Sequence, residues 1–258
     1  MTTTTANRNR IALVTGASRG LGRSSALQLA EAGIDLIITY QRNEAEAQEV
    51  VRRIEALGRR AIALQLDVSD SASFPAFAAR VKGALASHWQ REQFDYLVNN
   101  AGTGLHASFA ETTEAQFDAL YNVHLKGTFF LTQKLLPLIA DGGRILNTSS
   151  GLARFSFPGA SAYAAMKGGV EVLTRYMAKE LGPRGISVNT IAPGAIETDF
   201  NGGAVRDSAQ LNAQVAGVTA LGRVGLPDDI GSAVAALLAE GNGWINGQRV
   251  EVSGGMML

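Results

Sequence analysis

The chain of 258 residues carries 23 Lys and Arg against 23 Asp and Glu, so its formal net charge is zero and the sequence predicts no binding to nucleic acid or to an anionic membrane. Hydrophobic residues make up 46% of the chain and charged residues 18%, which excludes a disordered protein and predicts a compact fold. Because there is no Cys and the three histidines (His88, His106 and His124) are scattered, the sequence predicts neither disulfides nor a metal site.

The chain begins with a polar segment that is predicted to be a disordered tail over residues 1–9, followed by a single domain over residues 10–258. The tail lacks the apolar stretch of a signal peptide. No later run reaches the roughly 18 apolar residues that a membrane-spanning helix needs. These features predict a cytoplasmic protein that does not enter a membrane.

After the tail, short β-branched runs alternate with stretches of helical periodicity. The predicted strands cover residues 11–15, 35–40, 61–65, 96–99, 144–147, 186–191 and 249–252. The predicted helices include residues 21–32, 44–57, 73–86 and 163–181. This alternation is typical of an α/β fold with a parallel sheet between two layers of helices, which binds ligands beyond the carboxyl ends of its strands.

The first predicted strand runs directly into a glycine loop, TGASRGLG, which contains Gly16, Gly20 and Gly22. A strand, a glycine loop and a helix in this order expose backbone N–H groups and the positive end of a helix dipole, where a pyrophosphate fits. Gly16 and Gly20 would allow close backbone approach, and Gly22 would let the helix pack tightly on the strand. Glycines also serve ordinary turns, but the position of this loop favours dinucleotide binding.

The residues after the second predicted strand favour NADPH over NADH. An acidic residue normally holds the ribose diol there, but in this chain Tyr40 is followed by Gln41 and Arg42. We expect Arg19 and Arg42 to flank a 2′-phosphate through charge-assisted contacts. The alternative is that both arginines are solvated surface residues.

Three residues are candidates for catalysis. Tyr163 and Lys167 are four positions apart on a predicted helix and therefore share one face. A free phenol has a pKa of about 10, so we expect the Lys167 ammonium and an oxidised nicotinamide to lower the pKa of Tyr163 and let it exchange a proton with a substrate oxygen. Ser150 follows a predicted strand and would orient that oxygen. The alternatives are a helix-surface pair and a serine that merely ends a strand.

In combination, these segments resemble the classical short-chain dehydrogenase/reductase family, nearest in motifs to 3-oxoacyl-(acyl carrier protein) reductases. The resemblance extends from Ile11 to Gly255 and rests on TGASRGLG, LDVSD, NNAG, YAAMK, PGAIET, GLPDDI and INGQRVEVSGG in this order. It implies a doubly wound, seven-stranded parallel sheet of the Rossmann type, an oxidoreductase that uses NADP(H), and a homotetramer.

The resemblance also implies residue roles. Tyr163 would be the acid/base, Lys167 would bind the nicotinamide ribose and lower the pKa of the tyrosine, and Ser150 would polarise the carbonyl. The implied coenzyme contacts, with Tyr40 and Arg42 added from the end of the second strand, are Gly16, Ser18, Arg19, Gly20, Leu21, Gly22, Asp67, Val68, Asn99, Ala101, Gly102, Tyr163, Lys167, Pro193, Gly194, Ile196 and Thr198.

One departure from the family falls at His124, where relatives usually carry a catalytic Asn that helps to hold a water linking the lysine to solvent. Histidine offers both a donor and an acceptor, so we expect a modified relay with His124 as a further catalytic residue. The alternative is a packed helix histidine, with the water held by its backbone carbonyl.

A second departure concerns the substrate. Carrier-protein reductases share a basic run before the serine strand, whereas this chain has Ala140, Asp141 and two glycines there, with Arg184 left as a possible docking residue. We therefore expect a free small carbonyl compound. Carrier-protein reduction, NADP-linked sugar or alcohol dehydrogenation and a non-catalytic coenzyme-binding module stay open.

The substrate pocket is predicted between residues 102–108, 151–159 and 197–218, the last of which is expected to close as a lid. Phe155, Phe157 and Phe200 are expected to supply apolar walls, or else to pack locally.

Overall fold

Seven parallel strands form one sheet in the order β3-β2-β1-β4-β5-β6-β7 in a computed structural model, which describes residues 9–258 of the chain. The strands are β1 (Ile11–Val14), β2 (Asp35–Tyr40), β3 (Ala61–Gln65), β4 (Phe94–Asn99), β5 (Ile139–Thr148), β6 (Ser187–Pro193) and β7 (Arg249–Val252). The predicted α/β, doubly wound, seven-stranded fold is confirmed. The predicted tail, apart from Asn9, lies outside the described residues.

The α-helices cover both faces of this sheet. They are α1 (Gly20–Glu31), α2 (Glu44–Ala56), α3 (Phe74–Ala84), α4 (Glu114–Tyr121), α5 (Gly127–Leu135), α6 (Ser161–Leu181), α7 (Ala204–Asp207), α8 (Ala209–Gly217) and α9 (Pro227–Leu238). In the part of the chain that the structure describes, none of the helices has the length and apolarity to cross a membrane.

Alternation along the strands builds two separate cores. In β1, Ala12 and Val14 face the layer formed by α1, α2 and α9, whereas Ile11 and Leu13 face the layer formed by α3, α5 and α6. All four of these β1 side chains are fully buried. Burial on both faces explains why the strands read as continuous apolar runs rather than as alternating ones.

The winding reverses between β1 and β4, which are neighbours in the sheet although β2 and β3 come between them in the sequence. The loops after β1 and β4 therefore turn to opposite sides and open a crevice at the carboxyl edge of the sheet. This crevice is where the fold positions a ligand.

The predicted element bounds fail mainly around β5. The strand begins at Ile139 instead of residue 144, and its pairing with β4 shifts register between Phe94 and Tyr96. Gly142 adopts a φ of +73° in this stretch, a conformation that favours glycine. The irregular first half hides the strand from any pattern of alternation.

Candidate active site

The glycine loop between β1 and α1 has the backbone conformation that its sequence predicts. Gly16 and Gly20 have φ values of +64° and +55°. A Cβ atom on Gly22 would overlap the carbonyl oxygen of Gly16 and lie 2.5 Å from the amide nitrogen of Asn100. Among residues 9–258, no side chain caps the N-terminus of α1. The first N–H groups of this helix are therefore available to an anion.

Thr15 and Asn100 hold this loop to the neighbouring strand, although no motif in the sequence singled them out. The Thr15 hydroxyl accepts hydrogen bonds from the backbone N–H groups of Asn100 and Ala101, both at 3.0 Å. The Asn100 amide donates to the carbonyl oxygens of Thr15 at 2.9 Å and Gly16 at 3.3 Å. The signal available in the sequence was polar residues at the ends of two strands that pair.

The loops after β2 and β3 meet beside the glycine loop. Arg19 and Arg42 are both exposed. The Gln41 side chain donates a hydrogen bond to Asp67 at 2.8 Å. Burial acts to raise the pKa of Asp67, but hydrogen bonds from Ser69 and Gln41 and the charge of Arg42 hold it below its ordinary value. Two cations and one firmly ionised carboxylate thus border this end of the crevice.

Two predicted coenzyme contacts use their side chains inside the protein. Tyr40 is 8% exposed and its ring belongs to the core beneath α2. The Asn99 amide donates to Thr132 at 2.9 Å and to Asn147 at 2.8 Å, which joins β4 to β5 and α5. At both positions, a coenzyme would therefore contact main-chain atoms rather than the side chain.

The other predicted contacts follow strands at the same edge of the sheet. They are Ser18 and Leu21 after β1, Val68 after β3, Ala101 and Gly102 after β4, Pro193 at the end of β6, and Gly194, Ile196 and Thr198 after β6. Gly194 packs against Ser253, and Ile196 pairs with Gly225. A small cavity lies between the ends of β1, β3 and β4 and the start of α5, and is lined by Thr15, Val68, Asn99, Ala101, Val123, Gly127, Thr128 and Leu131.

Ser150, Tyr163 and Lys167 come together at one place. Lys167 Nζ lies 5.6 Å from the centroid of the Tyr163 ring. The Ser150 side chain lies close enough to the Tyr163 hydroxyl to lower the pKa of the phenol. Lys167 Nζ also donates to the carbonyl oxygen of Thr148 at 2.7 Å, which ties α6 to the end of β5. The structure therefore assembles the predicted trio.

In the chain without coenzyme, the pKa of Tyr163 is raised, and the predicted lowering, which included the charge of an oxidised nicotinamide, stays a prediction. Burial raises the pKa of Tyr163, and the neighbouring Ser150 side chain offsets only part of this effect. Burial also lowers the pKa of Lys167 to about 7. Desolvation disfavours the charged form of each group. In the chain without coenzyme, Tyr163 therefore keeps its proton at neutral pH.

His124 is 2% exposed and lies against the loop after β4. Its Nε2 atom is 2.7 Å from the carbonyl oxygen of Thr103, so Nε2 carries the proton and donates it. Nδ1 is buried and has no hydrogen-bond partner among residues 9–258. Burial and the charge of Lys167 lower the pKa of His124 to about 3, although the Thr103 hydrogen bond acts to raise it. The ring is therefore neutral, with one buried acceptor to spare.

A π-helical turn, Asn122–Lys126, carries His124 and places its ring against Tyr163 of the predicted trio. The turn interrupts the helix between α4 and α5, and such turns are frequent at functional sites. The His124 ring meets the Tyr163 ring edge-on, with the centroids 5.2 Å apart and an angle of 89° between the planes. Both predicted roles, relay and packed histidine, are compatible with this position.

Segments of the predicted substrate pocket meet over Tyr163. The Phe200 ring lies 5.9 Å from the Tyr163 ring, centroid to centroid. The Asn201 side chain fills the space beside Gly104, where a Cβ atom would overlap it. The segment that was predicted to act as a lid thus contacts the loop after β4 and borders the tyrosine.

Of the other two aromatic residues that were predicted to line the pocket, one packs locally and the other is exposed. Phe155 and Phe157 contact each other edge-on, with their centroids 5.7 Å apart. Phe155 packs on Gly151, where a Cβ atom would lie 2.6 Å from the ring, whereas Phe157 is 41% exposed. Phe155 is thus a packing residue, and Phe157 is free to form a wall.

Arg184, the residue left for docking a carrier protein, is already engaged. It forms an ion pair with Asp141 at 2.7 Å. Its guanidinium also donates to the carbonyl oxygens of Leu136 at 3.0 Å and Ile139 at 2.5 Å. These bonds fix the irregular start of β5.

Comparisons with known proteins agree with this geometry. Residues 16–257 match a short-chain dehydrogenase family model described as enoyl-(acyl carrier protein) reductase. A hydroxynaphthalene reductase-like protein of Metarhizium brunneum is 37% identical over 257 residues, which cover 95% of this chain and 94% of the relative. Two solved structures extend the likeness.

The first is the promiscuous reductase LugOII, which catalyses keto-reduction at C1 during lugdunomycin biosynthesis; it is 37% identical with a TM-score of 0.92, over 98% of this chain and 100% of that one. The second is a short-chain dehydrogenase from Burkholderia cenocepacia in complex with NADP, 40% identical with a TM-score of 0.87, over 96% of this chain and 99% of that one. On the family match and these identities, the chain belongs to the short-chain dehydrogenase/reductase family of oxidoreductases.

Proposed function

We propose that the protein reduces the carbonyl group of a free small organic molecule with NADPH. The observation that carries this proposal is the meeting of Ser150, Tyr163 and Lys167 at the sheet edge that also holds the glycine loop. The relatives support it, since one is named for reducing hydroxynaphthalenes and another for keto-reduction.

The residues present fit a dinucleotide with a 2′-phosphate. The uncapped start of α1 and the positive φ values of Gly16 and Gly20 suit a pyrophosphate. Arg19 and Arg42 are exposed cations where a ribose phosphate would lie, and β2 ends without a carboxylate. The NADP-bound structure from Burkholderia cenocepacia supports the same coenzyme.

The surroundings of Ser150, Tyr163 and Lys167 favour a different role for each residue in carbonyl reduction. When bound, NADPH supplies the hydride. Tyr163 donates its proton to the carbonyl oxygen, and Ser150 orients that oxygen with its hydroxyl. Lys167, which has a pKa of about 7, stabilises the phenolate left behind and exchanges protons at neutral pH.

The pocket favours a substrate with an apolar body. Phe200, which is 42% exposed, lies against the Tyr163 ring, and Phe157, which is 41% exposed, lies on the loop that follows Ser150; both offer aromatic surface to a ligand. Together with the relative named for hydroxynaphthalenes, they make aromatic ketones the first class to test.

Particular residues argue against each of the alternative functions. Docking of an acyl carrier protein is disfavoured because Arg184 is bound to Asp141. Dehydrogenation of a sugar or alcohol is the same chemistry reversed, and the raised pKa of Tyr163 favours the reductive direction. A non-catalytic coenzyme-binding module would have no need of the complete trio.

A homotetramer and a cytoplasmic location stay predictions. The tetramer draws support from exposed apolar side chains on α5 and α6, namely Phe129, Phe130, Val172 and Tyr176. Light scattering that gave the mass of a monomer would contradict it.

The proposal is tested by Tyr163→Phe, with NADPH oxidation followed at 340 nm over a panel of aromatic and aliphatic ketones. We expect turnover to fall by about 10²- to 10⁴-fold while NADPH binding, measured by fluorescence titration, is retained. Tyr176→Phe is the matched control, because it removes the same hydroxyl from an exposed position on the same helix. Full turnover in Tyr163→Phe would refute the proposed acid/base.

A further inference from the structure

A partly buried ion pair lies behind the catalytic trio, between α6 and β7. Arg249 Nε donates to Glu171 Oε1 at 2.6 Å, and the two side chains are 21% and 14% exposed. We infer that this Glu171–Arg249 pair consists of positioning residues that set the distance between Ser150 and Tyr163. The inference rests on the proposed reductase function and assigns two further residues to it.

Two consecutive residues at the end of β5 are bonded to two successive turns of α6. Lys167 Nζ donates to the Thr148 carbonyl oxygen at 2.7 Å, and Ser149 Oγ donates to Glu171 Oε1 at 2.7 Å. The next residue, Ser150, lies close to the Tyr163 hydroxyl, one turn before Lys167. Tyr163, Lys167 and Glu171 repeat every four residues and so share one helix face. Glu171 thereby holds the next turn of the helix that presents the tyrosine and the lysine.

Arg249 connects this helix face to the serine from the opposite side. Its Nη2 atom donates to the Ser150 carbonyl oxygen at 3.3 Å, and its Nη1 atom donates to Glu251 at 2.9 Å. All three nitrogens of the planar guanidinium are therefore engaged, which fixes its orientation. The main chain of Ser150 and the carboxylate of Glu171 are held by a single rigid group.

Glu251 is itself anchored, so Arg249 does not swing freely. Arg154 donates to both carboxylate oxygens of Glu251, at 2.7 Å and 2.9 Å. Its guanidinium also reaches the carbonyl oxygens of Met256 at 2.8 Å and Met257 at 3.3 Å. The pair is thus tied to the C-terminal segment as well as to the two elements that carry catalysis.

Loss of one partner would leave the other charge partly buried and unpaired, so the surrounding groups would shift to reach water. The Ser150 main chain and the Glu171 turn of α6 are the groups that would move. Displacement of a catalytic group by about 1 Å is enough to cost on the order of 100-fold in rate. Glu171 and Arg249 do not touch the reacting atoms, so the effect should fall on turnover and spare coenzyme binding.

The test compares Glu171→Ala, Glu171→Gln and Ser149→Ala with the wild type. For each we would measure kcat and KM for a ketone that the wild type reduces, the Kd for NADPH, and the melting temperature. We expect Glu171→Ala to lower kcat by about 10- to 100-fold with the Kd changed less than about twofold. Glu171→Gln, which keeps an acceptor for Ser149 and Arg249, should restore part of that loss. Ser149→Ala removes one hydroxyl and should lower kcat severalfold in a folded protein.

Ile54→Val is the control for a general loss of stability, because it removes one methyl group from a fully buried residue of α2. A kcat that follows the melting temperature in all four variants would overturn the inference. Wild-type kcat in Glu171→Ala and Ser149→Ala would overturn it as well. A wild type that reduces no ketone would instead refute the proposed function.

Discussion

Acidification is expected to destabilise the protein through His124. The pKa of this histidine is about 3 in the folded chain, against an ordinary value of 6.5. Between these values the unfolded chain binds a proton that the folded chain does not, so stability falls as the pH falls. Each pH unit below 6.5 costs about 1.4 kcal/mol, and the loss on going from pH 7.5 to pH 5 is therefore about 2 kcal/mol.

Urea denaturation at the two pH values, with wild type and His124→Asn side by side, isolates this loss. Other titrating groups are shared by both proteins, so the difference between their pH-induced changes belongs to residue 124. His88→Asn is the matched control, since His88 is exposed and should leave the wild-type pH dependence intact. Equal losses in wild type and His124→Asn would refute the neutral buried histidine. The His124→Asn variant also tests the predicted proton relay. If its turnover and the pH profile of its turnover equal those of the wild type, His124 has only a packing role.

Two further outcomes are expected. Arg42→Ala should raise the KM for NADPH by about 10- to 100-fold, because a charge-assisted contact contributes about 1.5–3 kcal/mol. The KM for NADH should stay unchanged. A wild type that prefers NADH would contradict this prediction. Gly22→Ala should destabilise the protein by about 1–3 kcal/mol in urea, because its Cβ atom would overlap the Gly16 carbonyl. Gly83→Ala on α3, with nothing within 4 Å of the added atom, should instead stabilise by about 0.5–1 kcal/mol, and similar changes at both glycines would refute the packing argument.

The sheet and the trio were predictable because they depend on local patterns. The strands Asp35–Tyr40 and Ala61–Gln65 each contain a short apolar run, and the structure has both at the predicted bounds. The spacing of Tyr163 and Lys167 fixes their shared helix face without any knowledge of the rest of the fold.

Features that depend on contacts distant in sequence were not predictable. Arg249 meets Glu171 across 78 positions, and Asn100 meets Thr15 across 85. The π-helical turn at His124 and the irregular start of β5 break the periodicities on which prediction relies. Tyr40 ends a strand where a coenzyme contact is expected, but only the packed structure shows its ring in the core.

The direction of the tyrosine pKa is the most consequential of these differences. The sequence predicts that the Lys167 ammonium and an oxidised nicotinamide together favour the phenolate. In the structure the same cleft that brings Lys167 near Tyr163 also removes water from both, and the pKa of the phenol rises while that of the ammonium falls to about 7. A phenol that keeps its proton at neutral pH is suited to protonate a carbonyl oxygen, whereas oxidation of an alcohol requires it to lose that proton first. The raised pKa of Tyr163 therefore suits reduction, whereas the positive charge of an oxidised nicotinamide would favour the phenolate that the reverse reaction requires.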